Sequence, residues 1–106
     1  MFKPKSVNIL GKTYSIEYCD NPANVDIHKR ESLWGQIDYW SRSIRIYDNG
    51  RIDGDIFETI IHEVLHGIVG ELKIKTISEA QDEEDVIGLL AVALSDTLRR
   101  NKWLND

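Results

Sequence analysis

The chain has 106 residues, of which 42% are hydrophobic and 29% charged, with a formal net charge of −5. These figures describe one globular domain over residues 1–106 with a modest core, rather than a disordered or fibrous chain, and the strands and helices read below make its expected class α+β. The acidic balance, with no basic patch beyond short pairs such as Arg99-Arg100, argues against nucleic acid as a direct partner, and no apolar run approaches a membrane span.

Met1-Phe2-Lys3-Pro4-Lys5 leads into no apolar signal region, and the single Cys19 cannot form an internal disulfide. A reducing, cytoplasmic location is therefore expected, with Cys19 as a small core residue. Residues 5–10 and 13–19 read as a hairpin around Gly11-Lys12, because Tyr14, Ile16 and Tyr18 alternate with Ser15, Glu17 and Cys19. Residues 20–33 read as a connection with a short helical turn. A second hairpin is expected over 34–40 and 43–48, with Ser41-Arg42 near its tip and Ile37 and Tyr39 sharing a face with Ile44 and Ile46. Trp34, Trp40 and Trp103 are expected to pack core or cross-strand surface.

Turn signals at Asp48-Asn49-Gly50 and Asp53-Gly54-Asp55 precede a helix expected from about Ile56 to Gly70, with Asp53 or Asp55 as its cap. Thr76-x-x-Glu79 or Ser78-x-x-Gln81 offers a capping box for a second helix running to about Arg100. The overall expectation is a small antiparallel or mixed sheet of about four strands, packed on these two helices.

The first helix carries His62-Glu63-Val64-Leu65-His66. Residues i and i+4 lie one turn apart on the same helical face, so two imidazoles at this spacing can hold one metal ion. The Glu beside the first His then faces the metal's open position, where a water binds. At 100° per residue both His fall opposite the middle of the apolar arc, and Glu63 lies on the same broad polar side. That placement would also suit the solvated face of an amphipathic helix. Histidine is scarce here, however, and two of the chain's three stand at ligand spacing.

Two His leave a zinc site one protein ligand short, with a further position for water. His28 stands upstream among charged residues and reads as a surface side chain. The acidic beginning of the second helix offers Glu83 or Glu84. Glu83 is favoured because it shares a face with Val86, Ile87, Leu90 and Leu94, the stripe expected to pack inward. In such a site Zn2+ lowers the pKa of its bound water towards ~7. Glu63 then serves as general base. Tyr39 or Tyr47 could assist at the developing oxyanion. A substrate peptide could pair with strand 43–48 if that strand forms a sheet edge.

From Trp34 to about Asn101 the chain resembles the small zincin-like metallopeptidases of phages and bacterial mobile elements, and the minimal gluzincins. The matching text is GQIDYWSRSIRIYD, FETIIHEVLHGI and EEDVIGLLAVALSDTLRRN. The resemblance implies a zincin fold, a zinc cofactor and hydrolysis of a protein or peptide substrate. It implies His62 and His66 as ligands, Glu63 as base, and the segment beginning Glu83-Glu84 as the source of the third ligand. It also implies an intracellular protein of bacterial or phage origin. Large gluzincins place an Asp four residues after the ligand Glu; here that position is Ile87 or Gly88. The rival expectation is a non-catalytic zinc-stabilised module that captures a protein.

Overall fold

The computed structural model describes residues 3–72 and 83–105, with the backbone alone at 83–85 and 105. Strands β1 (Ser6–Ile9) and β2 (Lys12–Cys19) form the first hairpin, with Val7 opposite Tyr14. Its turn is Leu10-Gly11 rather than Gly11-Lys12, and both turn residues have positive φ, 53° and 92°. That mirror-image turn matches the twist of the flanking strands and favours glycine at its second place. Asn21 begins a 3-10 turn at Pro22–Asn24 by accepting a hydrogen bond from the Ala23 amide, as expected of this connection.

Strands β3 (Gly35–Asp38) and β4 (Ser43–Tyr47) form the second hairpin, with Ile37 opposite Ile44. β4 also pairs with β2, in parallel, setting Ile16 beside Ile44 and Tyr18 beside Ile46. The sheet order is β1-β2-β4-β3, so the architecture is α+β around a mixed four-stranded sheet. β4 is therefore interior, and the edge beside the first helix belongs to β3. The expectation that strand 43–48 might form an edge is corrected by the parallel β2–β4 pairing.

Helix α1 (Asp53–Leu72) begins a turn earlier than expected, with the Asp55 and Ile56 amides donating to the Ile52 carbonyl. Its Ile56, Ile60, Val64 and Ile68, four residues apart, are buried against Val7, Ile9, Tyr14, Ile16, Ile44 and Ile46 of the sheet. Each such side chain contributes roughly 1.5–3 kcal/mol on leaving water.

Helix α2 (Glu83–Arg100) buries Val86, Ala93 and Thr97, whereas Ile87 and Leu94 of the expected inward stripe are exposed. The helix is turned from that expectation by its C-terminal anchor. Asn101 donates from Nδ2 to the Asn8 and Thr97 carbonyls, at 2.7 and 2.8 Å, and accepts from the Asn8 amide at 2.7 Å. That exchange occupies the free edge of β1 as a neighbouring strand would. A 3-10 turn at Lys102–Asn105 follows, with Trp103 packed against the core. Among the described residues no helix is long and apolar enough to cross a membrane.

Candidate functional site

The site is built where β3 runs alongside α1. Two residues of strand advance about 6.6 Å and four residues of helix about 6.0 Å, so the two elements stay in step. Gly35 lies against Thr59 and Glu63, Ile37 against Glu63 and Gly67, and Tyr39 against His66 and Gly70. The spacing is close enough to need glycine. A Cβ on Gly35 would stand 2.7 Å from Thr59 Cγ2 and 3.1 Å from Glu63 Oε2; one on Gly70 would stand 2.6 Å from the Tyr39 ring.

His62 and His66 sit on the exposed face of α1, with their Nε2 atoms 3.2 Å apart and ring centroids 4.8 Å apart at 68°. Two nitrogen ligands at ~2.0–2.1 Å from a tetrahedral metal stand about 3.3 Å from each other. The two ring nitrogens therefore already converge as one ion requires. Without an ion, the same approach is a hydrogen bond from one ring's N–H to the other's lone pair.

Glu63 is not on the wet side of the helix. It is only 6% exposed, turned into the seam with β3 on the side of the Ile37 amide. In the β3–β4 register Tyr47 donates to the Trp34 carbonyl, so Ile37, an odd number of residues on, points its amide outward at the free edge. Burial pushes the Glu63 carboxyl above its ordinary value, against the opposing pull of His62, His66 and the Ile37 amide. The result is a carboxylate with raised basicity beside two convergent imidazoles.

Of the two tyrosines considered for oxyanion stabilisation, Tyr39 adjoins the motif. Its hydroxyl donates to the His66 carbonyl at 2.8 Å, and burial together with Glu63 and Glu71 raises its pKa. The Tyr47 ring instead lies beside Arg51, whose Cζ is 5.9 Å from its centroid. His28 is an exposed side chain, as expected.

A cleft of about 330 Å3 opens on the other side of Glu63 and His62, walled by Trp34, Gly35, Arg51 and Thr59, with Asp55 and Glu58 also lining it. Arg51 was not marked out by any motif, yet it organises this cleft. It donates to the Tyr47 carbonyl (2.7 Å), the Asp55 carbonyl (3.1 Å) and Thr59 Oγ1 (2.7 Å), and stacks 4.6 Å from the Trp34 ring centroid. Trp34 is 65% exposed and Trp40 almost fully so, unlike the packed role expected of them. Gly35 at the start of a strand was the legible signal, because glycine in a strand marks a close backbone approach.

The structure thus brings together His62, Glu63 and His66. Among the described residues no group of three or more His, Cys, Asp or Glu side chains is placed to hold a metal ion. The side chains of Glu83 and Glu84, expected to supply the third ligand, lie outside the described residues, as do both capping boxes at 76–81. No family model, no curated protein and no solved structure matches this chain.

Proposed function

We propose that the chain is a zinc-dependent metallopeptidase with a zincin-like arrangement, acting on a protein or peptide substrate. The observation that carries this reading is the contrast within one helical turn. Two exposed imidazole nitrogens converge at 3.2 Å, while the intervening Glu63 is buried with raised basicity. A solvated helix face has no reason to bury that carboxylate, and a purely structural zinc site has no need of a base there.

His62 and His66 would hold the ion, with Glu83 as the proposed third donor and Glu84 as its alternative. The bound zinc would supply a water of lowered pKa and polarise the scissile carbonyl. Glu63 would serve there as the general base, accepting a proton at its carboxylate and passing it to the leaving amine. Gly35 leaves room for the Glu63 side chain in the seam, and burial there restricts the base before substrate arrives. Tyr39 is anchored on the His66 carbonyl from the strand side.

The testing experiment compares zinc-loaded wild type with Glu63→Gln on unfolded casein, followed by mass spectrometry of the products. The reading expects cleavage by the wild type, lost in the variant while both bind zinc equally. Equal cleavage by both would remove Glu63 from the role of base.

A further inference from the structure

We infer that the cleft behind Glu63 is a receptor for a peptide's terminal carboxylate, with Arg51 as the group that binds it. This inference rests on the peptidase reading for its substrate, but on the cleft alone for its chemistry. A guanidinium has five N–H donors. Arg51 directs three hydrogen bonds to neutral oxygens, the carbonyls of Tyr47 and Asp55 and the hydroxyl of Thr59. Asp55 meets it through the backbone and not through its carboxylate. Among the described residues Arg51 enters no ion pair, although the carboxylates of Asp55, Glu58 and Glu63 line the same cleft.

The group is also pre-positioned. The Trp34 ring 4.6 Å away and the three donated hydrogen bonds fix the guanidinium plane, so little side-chain freedom remains to be lost when an anion binds. Nη2 spends both its N–H groups on Asp55 and Thr59, which leaves Nε–H and one Nη1–H to take an anion by single charge-assisted hydrogen bonds rather than a parallel fork. Asp55 and Glu58 carry the opposite charge, but both are exposed, where water and salt screen them, whereas Arg51 is half-buried.

Distance decides which carboxylate. Arg51 holds Thr59, and Thr59 and Glu63 stand four residues apart, about 6.0 Å along α1. An extended peptide covers about 3.3–3.6 Å per residue. A carboxylate one or two residues beyond a bond at Glu63 therefore reaches the guanidinium, and one much further along does not. The cleft's volume of about 330 Å3 suits a segment of that size. The implied activity is removal of one or two residues from the carboxyl end of peptides.

The test has a binding arm and a cleavage arm. In the first, metal-free full-length protein is titrated with acetyl-trialanine, as free acid and as carboxamide, while the Trp34 indole and Arg51 side-chain resonances are followed by NMR. The free acid should shift both sets, and the carboxamide should bind about tenfold or more weakly. Equal response to the two forms, or none to either, would overturn the inference. Arg51→Lys should erase the preference; if that variant fails to fold, the wild-type comparison still decides. In the second arm, zinc-loaded protein is given a randomised octapeptide library in both forms. Loss of one or two C-terminal residues from the free acids supports the inference, whereas internal cleavage of both forms, or cleavage set only by a basic residue beside Glu58, contradicts it. Selective binding with no cleavage of any peptide would keep the carboxylate site and reject the peptidase reading.

Discussion

Gly35 and Glu63 touch across the seam between β3 and α1: a methyl group on Gly35 would stand 3.1 Å from Glu63 Oε2 and 2.7 Å from Thr59 Cγ2. The strand can lie this close to the helix only without a side chain there, and the same closeness sets the Ile37 amide on the side of the Glu63 carboxylate.

Gly35→Ala should therefore act on stability and site together. The added methyl must push β3 away or displace the Glu63 side chain, with a cost of about 1–3 kcal/mol. Urea unfolding measures the loss, and the Ile37 amide resonance should move as the carboxylate beside it moves. An alanine variant as stable as the wild type, with Ile37 unshifted, would mean the seam is looser than described.

Asp26 gives the clearest dependence on pH. It is buried and accepts from the His28 and Arg30 amides and from Gln36 Nε2. The His28 amide bond leads the forces that hold its pKa at about 2, against the penalty of burial. Its folded pKa lies below the unfolded value of about 3.9, so its contribution is present above pH ~4 and is lost as pH falls through about 2. Asp26→Asn should lower the melting temperature near neutrality, and the gap from wild type should close between pH 4 and 2. A gap independent of pH would assign the effect to shape rather than charge.

Glu71 ties the end of α1 to the first hairpin. It accepts from the buried Tyr14 hydroxyl and from Lys12 Nζ, each at 2.6 Å. Burial alone would raise the Glu71 pKa, but those two donors outweigh it and hold the carboxyl below its ordinary value. Glu71→Ala leaves the Tyr14 hydroxyl without its acceptor, and the expected loss is about 1–3 kcal/mol in thermal or urea unfolding. Lys12→Ala should cost less, because its exposed ammonium is readily replaced by water.

Much of the architecture was legible because it rests on local periodicity. Alternation over Tyr14, Ile16 and Tyr18 marked β2, and the four-residue rhythm of Ile56, Ile60, Val64 and Ile68 marked α1. The His62–His66 convergence follows from helical spacing alone. What was not legible depends on contacts distant in sequence. A helical wheel places Glu63 on the polar side, and only β3 lying against that side buries it. The parallel β2–β4 pairing, which makes β4 interior, joins strands more than twenty residues apart and leaves no mark on either. The rotation of α2 is set by Asn101 gripping Asn8, a contact across 93 positions. Arg51 stood outside every motif, since its partners are backbone carbonyls and one hydroxyl.

The central claim is that His62 and His66 bind a metal ion beside Glu63. Elemental mass spectrometry of the purified full-length chain after zinc incubation and gel filtration at neutral pH, wild type beside His66→Ala, tests it most directly. The account predicts about one zinc per chain in the wild type and its loss in the variant, with both folded by circular dichroism. No zinc in either protein, or the same zinc content in both, would contradict it.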